Sequence, residues 1–159
     1  MKKILMAAAL LLSVVTMVGC FGKSKENPLI NGVIGEWHLT KSPLLTDDTA
    51  EIIDVYIEFK SDSTFDLYQK DLTSPLYYKH YSGTYLISDS VITGKYSDGK
   101  SWGAVNGYNA SINMAGQLTL TNVDLTDDIS VYEKKTIPAD VKASATRSAA
   151  VEDNSHRFL

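Results

Sequence analysis

The chain has 159 residues and a formal net charge of −4, from 15 basic and 19 acidic side chains. This length suits one domain of ordinary size, and the acidic balance argues against nucleic acid and anionic lipid surfaces as partners. The sequence has no glycine-rich phosphate loop, nucleophile elbow or dinucleotide-binding fingerprint, so no common enzyme motif indicates catalysis.

The first 19 residues have the features of a secretory signal. Two lysines at the start precede residues 4–18, an apolar run interrupted only by Ser13 and Thr16. This run is shorter than the roughly 20 residues that span a bilayer, so it predicts a signal peptide over residues 1–19. Removal of this predicted signal peptide takes away its two lysines. The remaining chain has 13 basic and 19 acidic residues, a net charge of about −6.

The single cysteine, Cys20, directly follows this apolar segment. One cysteine excludes an internal disulfide, and the scattered positions of His38, His80 and His156 argue against a metal site. The four residues "MVGC" that end at Cys20 resemble the lipobox of bacterial lipoproteins, although methionine stands where leucine is commonest. An uncleaved anchor or a chance cysteine is the alternative.

The lipobox resemblance implies that Cys20 carries diacylglycerol, that the chain is cut before Cys20, and that the new amino group usually receives a third acyl chain. Several acyl chains hold a protein firmly, because each buried methylene contributes about 0.8 kcal/mol. Phe21 is not the aspartate that retains many lipoproteins in the inner membrane. The resemblance therefore implies a bacterial cell-envelope protein at the outer membrane, with the periplasmic side favoured over the surface.

The rest of the chain divides into three parts. Residues 20–30 are short, mostly polar and contain Pro28, which predicts a lipidated tether. Residues 31–138 carry the alternating patterns of a folded domain. Residues 139–159 have few large apolar side chains and no broad apolar stripe, which predicts a flexible tail with at most a frayed helix.

Alternation of apolar and polar residues predicts strands in the first half of the domain. An opening strand lies in "GEWHLTK", and Val55, Ile57 and Phe59 then alternate with more polar neighbours. The stretch "KSDST" predicts a turn, after which Phe65 and Leu67 resume the apolar face.

The second half of the domain repeats this pattern. Tyr81, Tyr85 and Ile87 share one face of a strand, "SDS" predicts a turn, and residues 91–96 form a strand that ends at the turn "SDGK". The last three predicted strands cover residues 108–113, 118–121 and 129–135.

About eight short strands and no convincing helix indicate an all-β domain. Consecutive hairpins predict an antiparallel up-and-down meander, which removes its edges by closing into a small barrel. Such an interior is either filled by side chains or holds one small ligand. A two-sheet sandwich is the alternative, but it needs long crossing connections, and the longest loops are residues 42–52, 71–75 and 123–128.

The motif "GEW" at Gly35 to Trp37 resembles the Gly-x-Trp of lipocalins, and the strand patterns are similar to small bacterial lipocalin-like lipoprotein domains. The resemblance covers residues 35–136 and implies a lipocalin-like barrel in which Gly35 and Trp37 close one end. The Thr-Asp-Tyr turn of larger lipocalins is absent, and the last strand has no arginine to cover the tryptophan. Lys134 or Lys135 is expected to take that place.

Together, the lipobox and the lipocalin-like barrel imply a lipid-anchored module that binds a small hydrophobic or amphipathic ligand. Trp102 follows the "SDGK" turn and is expected at the open end, where it matters more for binding than for stability. The alternative is a structural or accessory lipoprotein with a filled barrel that binds another envelope protein or a glycan. The candidate lumen residues are Val55, Ile57, Phe59, Phe65, Leu67, Tyr85, Trp102, Tyr108, Leu118 and Leu120.

Catalytic candidates are few. His38 and His80 each lie in an alternating strand and are expected to be half-exposed sheet residues, and the paired aspartates lie in loops as solvated turns. We therefore expect no catalytic residue, no metal and no cofactor. In "LYYKHY", Tyr77 and Tyr81 share one face and Tyr78 lies on the other with His80, so one set must face outward.

Overall fold

The computed structural model describes residues 28–72, 74–145 and 157–159; the predicted signal peptide, Cys20 and most of the tether lie outside this part. None of the described helices is long and apolar enough to cross a bilayer. The elements are α1 (Pro28–Val33), β1 (Gly35–Lys41), β2 (Asp54–Phe59), β3 (Thr64–Asp71), β4 (Ser74–Ser88), β5 (Val91–Tyr96), β6 (Tyr108–Ile112), β7 (Leu118–Asn122), β8 (Ile129–Lys134) and α2 (Ala139–Ala145).

The eight strands form one closed barrel. Each strand pairs antiparallel with the next, and β8 returns to pair with β1, where Trp37 lies opposite Lys134. Closure gives every strand a neighbour on both sides, so the barrel has no unpaired edge. The predicted all-β meander and its closure into a lipocalin-like barrel are confirmed.

The up-and-down order sorts the connections into two ends of the barrel. The turns after β2, β4 and β6 define the short-turn end, and α1 packs against β6 there. The connections after β1, β5 and β7 define the long-loop end and cover residues 42–53, 97–107 and 123–128. The two-residue connection between β3 and β4 also lies at the long-loop end.

Short polar side chains explain why the chain reverses at the short-turn end. In the turn after β2, the Asp62 carboxylate accepts hydrogen bonds from the backbone N–H of Thr64 at 3.0 Å and from its hydroxyl at 2.6 Å. Ser63 and Asp89 adopt positive φ angles of 65° and 53°. Aspartate and serine favour such turns because their side chains bond to nearby backbone groups.

Inward-pointing residues from all eight strands form one buried cluster inside the barrel. Val33 from α1 joins it at the short-turn end, and Leu159, 2 % exposed, joins it from the far end of the sequence. The eight paired strands that close the barrel lie within residues 35–134.

A second buried cluster lies on the outside of the barrel and includes residues of the segment predicted as a flexible tail. Residues 139–145 form α2, which packs against β3 and β4. Its apolar stripe is only Val141 and Ala145, but the tyrosines of the barrel wall supply the broad apolar surface that the helix itself lacks. The cluster consists of Tyr56, Tyr68, Ile137, Val141 and Ala145.

Polar contacts hold α2 on the barrel wall. The Lys142 ammonium lies 2.7 Å from Oε1 of Glu36 on β1, and the backbone N–H of Ile137 donates to Glu36 Oε2 at 2.9 Å. Burial opposes ionisation of Glu36, but these hydrogen bonds outweigh it and lower the pKa of its carboxyl.

The described part of α1 begins at Pro28, inside the segment predicted as a tether.

Candidate functional site

Trp37 lies in the core at the short-turn end of the barrel. Its ring is fully buried, and its indole N–H donates to the Val33 carbonyl oxygen of α1 at 2.7 Å. The Lys134 ammonium lies 5.2 Å from the ring centroid, the place expected for Lys134 or Lys135. Gly35 has φ of 131°, which side-chain-bearing residues rarely adopt. Trp37 and α1 thus seal the short-turn end.

The ten residues predicted to line the lumen all belong to the interior cluster, with exposed fractions of 7 % or less. Several are aromatic, and their rings pack edge to face or tilted around Trp102. The ring centroid of Phe65 lies 5.3 Å from that of Trp102, that of Tyr108 lies 6.2 Å away, and that of Phe59 lies 6.4 Å away. Buried aromatic side chains therefore surround Trp102.

Trp102 has its backbone at the long-loop end, where it was expected, but its ring lies deeper than a position at the opening. Its backbone lies in the loop after β5, yet its ring is 2 % exposed and reaches into the interior. Gly94 on β5 makes this possible, because a Cβ there would lie only 2.0 Å from the Trp102 ring. Loop position alone does not reveal this, since the depth that the ring reaches depends on the glycine opposite it.

The interior also contains polar groups that can donate hydrogen bonds. Burial raises the pKa of Tyr108 to about 12 and raises the pKa of Tyr96 and Tyr132 as well, so all three phenols are neutral donors at physiological pH. Among the described residues, the buried Trp102 Nε1 has no hydrogen-bond partner. A buried donor without a partner costs about 1 to 3 kcal/mol, so a bound acceptor oxygen would be favoured here.

A pocket of about 450 Å³ opens at the rim of the long-loop end. Of its lining residues, Ile53 belongs to the interior cluster and Phe158 packs against that cluster. The pocket therefore adjoins the lumen. Leu44 and Leu72 line its outer part and are 45 % and 60 % exposed. This rim pocket is lined by Pro43, Leu44, Thr46, Thr49, Ile53, Asp71, Leu72 and Phe158.

Residues 157–159 occupy the same end of the barrel, although they belong to the predicted flexible tail. The Tyr96 hydroxyl donates to the Leu159 backbone oxygen at 2.7 Å, and the Phe158 backbone N–H donates to Gln69 Oε1 at 3.1 Å. Gln69 is fully buried and also donates to Asp71 at 2.7 Å. These three residues of the predicted tail therefore have specific partners on β3 and β5.

Sequence reasoning missed Gln69, Tyr96 and Tyr132 as interior groups. Gln69 has the parity of Phe65 and Leu67, so continuing the alternation along β3 would have placed it inside. A local pattern does not favour this interior position, because a fully buried glutamine is uncommon and one of its partners, Phe158, lies 89 residues away. Tyr132 lies opposite Leu118, so strand pairing was needed to recognise its inward direction.

The two described histidines lie on the outer wall, paired with carboxylates. His38 Nε2 lies 2.7 Å from Asp54, and His80 Nε2 lies 2.7 Å from Asp66. Burial opposes ionisation of Asp54, but hydrogen bonds from His38 and Tyr78 outweigh it and lower the pKa of Asp54. Within the described residues no cluster of His, Cys, Asp and Glu has the spacing of a metal site.

An eight-stranded up-and-down barrel, with a buried tryptophan at the start of its first strand and a short helix across that end, is a lipocalin-like fold. A family model described as "Lipocalin-like domain" matches residues 33–139, or 107 of the 159 residues. The chain belongs to this family. No curated protein matches the chain.

Proposed function

We propose that this protein binds a small hydrophobic or amphipathic ligand at the long-loop end of its barrel. The observation that carries the proposal is the rim pocket, whose volume of about 450 Å³ lies within the range of about 300 to 1,000 Å³ typical of ligand sites. Two of its lining residues adjoin the interior, which contains a buried hydrogen-bond donor at Trp102 Nε1. This combination suits an apolar body with an oxygen-bearing head group.

We further propose that the barrel is held at a bacterial outer membrane by acyl chains on Cys20. The support is the "MVGC" motif after a basic and then apolar start, together with Phe21 in the place of a retention aspartate. The membrane is then a partner through the lipid alone, and the periplasmic side is the favoured location. Catalysis is not part of this proposal, because His38 and His80 are engaged by outer-wall carboxylates away from the pocket.

The filled interior supports a second candidate function, an accessory lipoprotein that binds an envelope protein or a glycan through its outer face. The interior cluster contains large side chains from every strand. The tyrosines of "LYYKHY" do not form one exposed strip, however: Tyr78 packs against the cluster under α2, Tyr81 packs against the interior cluster, and Tyr77 is 38 % exposed. The rim pocket has no role in this second function, which makes the two candidates separable.

A matched pair of leucine substitutions tests ligand binding at the rim pocket. Leu72 lines this pocket and is 60 % exposed, whereas Leu86 lies on the outer wall elsewhere and is 67 % exposed. Leu72→Glu should weaken binding of a dansyl-labelled fatty acid to residues 21–159 by about tenfold, since a charge is placed against the apolar chain. Leu86→Glu should leave binding unchanged. Equal binding by both variants and the parent would contradict a site at the rim pocket.

A further inference from the structure

Residues 157–159 are seated at the long-loop end by three kinds of contact. The Leu159 side chain is buried in the interior cluster, and its backbone oxygen accepts from the Tyr96 hydroxyl at 2.7 Å. The Phe158 backbone N–H donates to the fully buried Gln69, and the Phe158 ring lines the rim pocket. Each contact has the form of a ligand contact: an apolar group in a lumen, an acceptor on a buried donor, and a ring in a pocket.

Arg157 fastens the segment to the loop after β5, and its side chain is only 12 % exposed. Its guanidinium carbon lies 4.4 Å from the ring centroid of Tyr96 and 4.7 Å from that of Tyr81, and its Nη2 donates to Asp98 at 2.7 Å. The hydrogen bond from Arg157 lowers the pKa of Asp98 to about 2, so this carboxylate is charged at physiological pH. Asp98 lies in the loop after β5, directly beside the position where the segment enters the barrel.

The segment is distinct from the barrel itself. All eight strands pair without it, and the α1, Trp37 and Val33 contacts that seal the barrel lie at the opposite end. It is also remote in sequence from its partners, since Phe158 and Gln69 are 89 residues apart and Leu159 and Tyr96 are 63 apart. Removing it would therefore open the long-loop end while the strand pairing stays complete.

We propose that residues 157–159 act as an intramolecular ligand that competes with an external ligand for the long-loop end of the barrel. This inference rests on the proposed function and narrows its ligand class. The external ligand shares the chemistry of the segment it displaces: a branched or extended apolar chain, joined to a carboxyl or amide oxygen that accepts from the Tyr96 hydroxyl. A fatty acid or an apolar acyl conjugate has this chemistry.

The test compares residues 21–159 with residues 21–156, both titrated with a dansyl-labelled undecanoic acid and checked for folding by circular dichroism. An occupant that fills the site in nine molecules of ten weakens apparent affinity about tenfold, so the shortened chain should bind the probe about tenfold more tightly. A peptide of residues 152–159 should displace the probe from the shortened chain. A scrambled peptide of the same composition should not.

A surface variant extends the test if the shortened chain does not fold. Asp98→Asn removes the charge that pairs with Arg157 at a side chain that is itself 42 % exposed, so the probe should bind about two- to fivefold more tightly, as expected for loss of one partly exposed ion pair. Asp127→Asn makes the same charge change in another exposed loop of the long-loop end and should leave affinity unchanged. Equal affinities for both variants would overturn the inference.

The outcomes separate this inference from the proposed function. Equal probe binding by the long and short chains overturns the intramolecular ligand and leaves ligand binding standing. Peptide binding by the short chain, seen in tryptophan emission, without probe binding by either chain supports the intramolecular ligand and overturns the fatty-acid-like ligand class. Binding of neither probe nor peptide to a folded short chain overturns both.

Discussion

Replacing Trp37 with alanine tests whether α1 and this side chain seal the short-turn end. The ring is fully buried and its N–H is bonded to the Val33 carbonyl oxygen. Truncation of a buried tryptophan costs about 3 to 5 kcal/mol through lost burial and a residual cavity. The variant also leaves the Val33 carbonyl without this donor, which favours the upper part of that range. The free energy of unfolding of a typical domain is about 5 to 15 kcal/mol, so this loss is a large fraction of the total stability.

Urea unfolding of residues 21–159, followed by far-ultraviolet circular dichroism, measures this loss. With a slope of about 2 kcal/mol per molar urea, the midpoint of Trp37→Ala should fall by roughly 2 M. Met114→Ala is the matched control, because Met114 is fully exposed in a turn at the same end and its truncation should change stability by less than about 0.5 kcal/mol. A Trp37→Ala midpoint as close to the parent as that of the control would refute the sealed end.

Three further predictions follow from particular contacts. Trp102→Phe should destabilise the barrel less than Trp37→Phe in the same urea assay, because it removes a buried N–H that has no partner rather than a bonded one; equal losses would contradict this difference. Asp54→Asn should lower stability by about 1 to 3 kcal/mol at neutral pH, since the Asp54 carboxylate accepts two side-chain hydrogen bonds. The folded-state pKa of Asp54 is lowered, so its contribution is present above the unfolded value of about 3.9 and is lost as the pH falls through the lower folded value. The stabilities of the two proteins should therefore draw together as the pH falls below about 3.9, and a difference that does not shrink with falling pH would be inconsistent with this origin. Cys20→Ser should abolish labelling with an alkyne-tagged fatty acid in cells and leave the precursor uncut, whereas normal processing and membrane retention would refute the lipid anchor.

The strands and their closure could be predicted because both depend on local patterns. Val55, Ile57 and Phe59 alternate with more polar residues, and the structure places all three inside the barrel. Turn residues such as those of "KSDST" lie where the chain reverses, because their side chains bond to the adjacent backbone. A meander with eight such strands has few other ways to pair its edges.

The contacts that a local pattern does not contain were missed. α2 has only Val141 and Ala145 on its buried side, and it docks because tyrosines from separate strands lie together on the barrel wall. The place of Leu159 depends on Tyr96, 63 residues away, and the depth of Trp102 depends on Gly94 opposite it. Such partners become visible only when the strand pairing is known.

Native mass spectrometry tests ligand binding at the long-loop end most directly. Residues 21–159, exported to the periplasm and purified without detergent, should carry a reproducible non-covalent adduct with the mass of a small amphipathic molecule. The adduct should persist in Leu86→Glu and be depleted in Leu72→Glu, because only Leu72 lines the rim pocket. The bare protein mass in all three proteins, with no uptake of an added fatty acid, would contradict the proposed ligand-binding function.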